Sequence, residues 1–112
     1  MNQAGARAEE LCAQLLRGYG LRIIERNWHC RFGEIDLIAE EGGTLVFAEV
    51  RLRNARAFGG AAESITAAKR SRVIAAAQLY LIRRPVQCCR FDVLLVTGEP
   101  ARIEWIRNAF AE

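Results

Sequence analysis

Residues 33–51 read GEIDLIAEEGGTLVFAEVR, two alternating apolar runs on either side of a glycine pair. Gly33 to Glu40 and Thr44 to Leu52 carry strand periodicity, and Gly-Gly between two such runs is a strong hairpin signal. With Gly42-Gly43 as a two-residue loop, Glu41 faces Thr44. Counting outward sets Ile38 opposite Phe47, Asp36 opposite Glu49 and Glu34 opposite Arg51. Strand side chains alternate, so these polar positions are expected on one face. Ile35, Leu37 and Ala39, opposite Val46, Ala48 and Val50, form an apolar layer for a helix to cover. A slip of one residue would mix carboxylates into that layer, which disfavours it.

The rest of the chain supplies the helices. From about Ala6 to Tyr19, the residues Ala8, Leu11, Cys12, Leu15, Leu16 and Tyr19 recur at helical spacing, ahead of Gly18 and Gly20. Glu9 sits seven residues before Leu16, almost on the same angular line, at the margin of the buried stripe. Leu21 to Trp28 reads as a strand and Ala55 to Gly60 as a loop. A second helix runs from about Ala67 to Arg83, capped by Thr66 or Ser64, with Val73, Ala76, Ala77, Tyr80 and Leu81 as its stripe. Arg90 to Val96 and Ala101 to Ile106 are strands, which makes the order αβββαββ. Repeats and linker-like tracts are absent, so residues 1–112 are expected to form one α/β domain.

Composition narrows the class. With 52% hydrophobic and 26% charged residues the chain is globular rather than disordered. No apolar run approaches the ~20 residues that cross a bilayer, and Met1 to Arg7 lacks a signal-peptide core. A cytoplasmic protein without a membrane partner is therefore expected. Cys12, Cys30, Cys88 and Cys89 lack zinc-type spacing and read as reduced thiols. The net charge of +3 is weak evidence for a nucleic-acid partner, but its distribution says more. Arg51, Arg53 and Arg56 form one basic stretch, and Lys69, Arg70 and Arg72 another.

Carboxylates directly across a ladder have Cβ atoms roughly 5 Å apart and repel. Asp36 and Glu49 are such a pair, relieved by protonation of one, by solvent, or by a bridging cation. Hard ions such as Mg²⁺ and Mn²⁺ take oxygen ligands, and beside basic residues they serve phosphodiester hydrolysis. The plainer alternative is a set of solvated ion pairs, Glu34 with Arg51 among them.

The segments Gly33–Ala39, Leu45–Arg51 with Arg53, Phe58-Gly59, Lys69-Arg70 and Arg90–Val93, and the opening Gly5–Glu9, resemble the YraN family. That family is similar to the PD-(D/E)XK restriction-endonuclease-like superfamily and, in core layout, to archaeal Holliday-junction resolvases. The resemblance implies a restriction-endonuclease-like fold, with a mixed central sheet flanked by helices. It further implies Asp36 and Glu49 as catalytic metal ligands, Glu9 completing the acidic site, and Mg²⁺ or Mn²⁺ as the cofactor. Arg51 stands where the family's Glu-x-Lys motif has lysine. Arginine holds phosphate bidentately but does not lose a proton near neutral pH. It therefore substitutes for a lysine that stabilises charge, and not for one that deprotonates water.

The function implied is a metal-dependent nuclease acting on structured or branched DNA, with Arg51 holding the scissile phosphate. Arg53, Lys69, Arg70 and Arg72 would contact the DNA backbone, the last three at a helix N-terminus, where phosphate is favoured. Paired incisions need two sites, so this reading carries a homodimer, with Ile103, Trp105 and Phe110 as candidate interface residues. The alternatives are a non-catalytic nucleic-acid-binding module of the same fold and a protein-interaction scaffold.

Overall fold

The structure is a computed structural model that describes residues 3–53, 65–85 and 87–111. The expected loop Ala55–Gly60, with Arg56 and the alternative cap Ser64, lies outside the described residues. The elements are α1 (Gln3–Gly18), β1 (Arg22–Cys30), β2 (Gly33–Glu41), β3 (Thr44–Arg53), α2 (Ala67–Leu81), β4 (Cys88–Thr97) and β5 (Arg102–Phe110). This is the expected αβββαββ order, forming a five-stranded mixed sheet flanked by two helices, consistent with a restriction-endonuclease-like core. Among the described residues no helix is long and apolar enough to cross a membrane.

The sheet order is β1-β2-β3-β4-β5, antiparallel throughout except for the parallel β3–β4 pair that α2 connects. The hairpin register agrees with the count from the glycine pair: Glu41 pairs with Thr44 and Ile38 with Phe47. Gly42 takes a φ of 61°, a conformation that glycine adopts without a Cβ penalty. Thr66 caps α2 by accepting a hydrogen bond from the Lys69 N–H at 3.1 Å.

Each helix covers its own face of the sheet. Ala8, Cys12, Ala13 and Leu16 of α1 pack with Leu37, Ala39, Val46, Ala48, Leu94 and Val96. Val73, Ala76 and Ala77 of α2 pack with Ile35, Ile38, Leu45, Phe47 and Phe91. The core is thus two apolar layers separated by a sheet, a stable way to bury both its faces. Ile35 departs from expectation, lying in the α2 layer and not with Leu37. The candidate interface residues also turn inward. Ile103 and Trp105 pack against the α1 layer, and the Phe110 ring stacks on Phe91 at 5.0 Å, so they complete this chain's own core.

Candidate acidic site

The displacement of Ile35 has a local cause. Asn27 in β1 has a φ of 51°, a left-handed conformation that asparagine tolerates better than most residues. It lies between the ladder pairs Arg26–Leu37 and Trp28–Ile35, opposite Asp36. Trp28 and Ile35 belong to the α2 layer, whereas Arg26 reaches Glu10 of α1 and Leu37 joins the α1 layer. Alternation therefore breaks in both strands at Asn27 and Asp36. The break turns Asp36 toward α1 and off the face that strict alternation assigned it.

On the other side of β2, the paired ladder with β3 ends at Leu37–Ala48. Two side chains take over from it. The Asp36 N–H donates to Glu49 Oε2 at 3.1 Å, and the Val50 N–H donates to Asp36 Oδ2 at 2.8 Å. Each carboxylate thus reaches across to the partner strand, and the pair fills the seam between β2 and β3. Asp36 opens on the α1 side, where Gly5, Ala8, Glu9, Val50, Arg51 and Leu52 complete a cavity of about 320 Å³. Glu49 enters the seam from the α2 side, where Lys69 Nζ lies 3.4 Å from its Oε1. The two acids share a seam from opposite faces, which corrects the expectation of a single face.

Charge is expensive here. Glu49 is 0% exposed, and its Oε1 makes no hydrogen bond despite the ammonium nearby. Burial, reinforced by the Asp36 charge, pushes its carboxyl up to about 7. Glu9 is buried on α1 and is likewise pushed up to about 7, by burial and then by Asp36, while a hydrogen bond from the Asn27 side chain acts the other way. Burial also raises Asp36, opposed by the Val50 N–H and by the Lys69 charge. Asp36 is thus the hub of the three acids, electrostatically coupled to both glutamates.

A divalent ion is the group that the family resemblance implies, and the residues present suit one. The donors are carboxylate oxygens, and the buried Glu49 Oε1 has only the Lys69 ammonium beside it, at 3.4 Å. Among the described residues no three His, Cys, Asp or Glu side chains converge closely enough to hold an ion. Asp36 and Glu49 remain as two candidate ligands, and Mg²⁺ commonly takes one or two carboxylates with water and phosphate completing its shell.

The basic residues divide. Arg51 is exposed at the cavity rim, and Arg53 lines a neighbouring pocket with Thr97, Arg102 and Glu104. Lys69 turns inward to Glu49. Arg70 donates to the Ile65 carbonyl at 3.1 Å and lies over the Phe110 ring, while Arg72 is exposed on α2. Glu34 is 3.7 Å from His29, its ladder partner on β1, and not with Arg51. Sequence reasoning missed Asn27 altogether. Its signal was an asparagine inside a run of strand formers, at the register position facing Asp36.

Comparison with known proteins agrees with the resemblance. The family model described as "Uncharacterised protein family UPF0102" matches residues 8–96. A UPF0102 protein of Nitrosospira multiformis is 52% identical over 108 residues, covering 95% of this chain and 91% of that protein. One from Nitrosomonas europaea is 52% identical over 110 residues, covering 96% and 93%. One from Methylobacillus flagellatus is 49% identical over 112 residues, covering 99% of each chain. With a match over most of its length and relatives near half identity end to end, the chain belongs to the UPF0102 (YraN) family.

Proposed function

We propose that this protein is a divalent-metal-dependent nuclease that hydrolyses phosphodiester bonds in structured or branched DNA. The observation that carries this reading is the Asp36–Glu49 seam, two carboxylates bonded across strands, with Glu9 and two cations around them. Raised carboxyl pKa values from burial and mutual repulsion characterise functional acids more than structural ones. Asp36 borders a cavity on the α1 side, where a ligand can reach it.

In this reading Asp36 and Glu49 hold Mg²⁺ or Mn²⁺, which supplies polarisation of the phosphate and a more acidic water. Glu9 faces the open cavity beside Asp36, placed to accept or return a proton near neutral pH. Arg51 at the rim offers a fixed guanidinium to the phosphate, and exposed Arg72 offers charge to the DNA backbone. Backbone contacts of this kind position a duplex without reading its sequence.

The test pairs Mn²⁺ calorimetry with cleavage of labelled linear and four-way DNA. The wild-type chain should bind Mn²⁺ and cut, and Asp36→Asn should lower the rate at least ~10²-fold. A wild-type chain that neither binds Mn²⁺ nor cuts would overturn the reading. Arg51 in place of lysine favours a second reading, a non-catalytic nucleic-acid-binding module. Association that weakens steeply with salt but yields no product would select it.

A further inference from the structure

We propose that Lys69 of α2, and not Arg51 of β3, is the cation that grips the scissile phosphate beside Glu49. This inference rests on the nuclease reading and departs from the role that motif position assigns to residue 51.

Two observations carry it. First, Lys69 Nζ lies 3.4 Å from Glu49 Oε1 on the α2 side of the seam, and its side chain is 31% exposed. An ammonium has three donors, so one turned toward Glu49 leaves others for an incoming phosphate oxygen. Second, Lys69 is anchored on a regular element. Its backbone N–H is held by the Thr66 cap at 3.1 Å, so the stem leaves a fixed point on the first turn of α2. Arg51 is exposed at the rim of the cavity on the α1 side.

The arrangement also accounts for two oddities of the sequence. A lysine in the first turn of a helix meets the positive end of the macrodipole, which disfavours it. Glu49 offsets that cost from across the β3–α2 crossover, so the lysine is retained for what it meets in space. Arginine at position 51 is tolerated because the amine comes from elsewhere. Residue 51 then needs only a permanent charge at the rim, where it steadies an adjacent phosphate.

The experiment uses the full chain in Mn²⁺ with two probes, a labelled four-way DNA junction and its cleavage-resistant phosphorothioate counterpart. Binding of the resistant probe is read by fluorescence anisotropy, and cleavage of the natural one by gel. Lys69→Met should weaken binding about tenfold and slow cleavage ~10²-fold, while Arg51→Met weakens binding a few-fold and still cuts. Lys69→Arg should hold the resistant probe within a few-fold of wild type. The double variant Arg51→Lys with Lys69→Met returns an amine to the strand and should recover part of the cleavage. A Lys69→Met chain with a wild-type melting profile that binds and cuts normally would overturn the inference while the nuclease reading stands. Wild type that binds the resistant probe through Lys69 but cuts nothing removes the nuclease reading and supports the Lys69 contact. Wild type that binds neither probe overturns both.

Discussion

Two carboxylates in this molecule, Asp92 and Glu49, are equally hidden, each 0% exposed, yet their surroundings differ. Asp92 on β4 accepts from Arg90 Nε at 3.0 and 3.2 Å, from Trp105 Nε1 at 2.9 Å and from the Asn108 N–H at 2.9 Å. Both its oxygens are bonded, and a guanidinium balances its charge. Asn108 has a φ of 54° and lies beside the register shift between β4 and β5, so Asp92 ties an irregular stretch of β5 to the sheet. Glu49 on β3 has one hydrogen bond to Oε2, while Oε1 is left to an ammonium at 3.4 Å without hydrogen-bond geometry. A buried carboxylate with complete partners is structural. Glu49 has incomplete partners and lies beside two further acids whose carboxyls burial raises.

The largest effect that separates the two centres is expected at Asp92. Asp92→Ala takes an acceptor from the half-buried Trp105 and Arg90, the latter keeping Glu41, and should cost ~2–3 kcal/mol in a denaturant melt. A loss well below 1 kcal/mol would show that the network contributes little. The matching change at the other centre carries the opposite sign. Glu49→Gln keeps an acceptor for the Asp36 N–H and removes a charge that burial opposes, so at pH 8 it should stabilise the metal-free protein by ~1–2 kcal/mol. Clear destabilisation by that variant at pH 8 would mean that Lys69 already satisfies the carboxylate.

The pH dependence sharpens the contrast further. Glu9 and Glu49 are raised from an ordinary 4.5 to about 7. Between these values the folded chain binds more protons than the unfolded one, so stability falls as pH rises from 4.5 to about 7 and then levels. Glu10, Glu40 and Glu41 are lowered by hydrogen bonds from Arg26, Arg22 and Arg90, so the stability they contribute is lost only as pH falls below 4.5. Calorimetry of the metal-free protein should give a higher Tm at pH 5.5 than at pH 8. The difference should shrink in the Glu9→Gln, Glu49→Gln double variant, and an unchanged difference would place its origin elsewhere. The smallest effect is expected at the surface. Glu10→Ala removes an exposed pair with Arg26 and should leave the melt within error.

Much of the scaffold was legible before any coordinates. A two-residue Gly42-Gly43 turn matches the β2–β3 register, while the period of two by itself excluded only a one-residue slip that would mix carboxylates into the apolar layer. The stripes on α1 and α2 announced most of their buried faces through the 3.6-residue period, except that Tyr19 lies past the end of α1 and is 64% exposed, and Glu9 at the margin of the first stripe is buried. The site was only partly legible. Asp36 and Glu49 do meet across the β2–β3 seam, but beyond the end of the ladder, and Asp36 turns to the other face because a left-handed Asn27 interrupts alternation in the neighbouring strand. Lys69 read as one of three basic residues on a helix, and its inward turn could not be seen from spacing. Asp92 stood within a recognisable segment, yet nothing local disclosed its bonds to Trp105 and Asn108.

The division has a physical reason. Periodicity, turn chemistry and caps act over a few residues, so the sequence alone determined the elements, their order and the hairpin register. Which acid is incompletely bonded, and which cation turns toward it, depends on residues that meet only after β3 and β4 pair in parallel and α2 crosses between them. Those encounters belong to the tertiary structure, and they decided the chemistry of the seam.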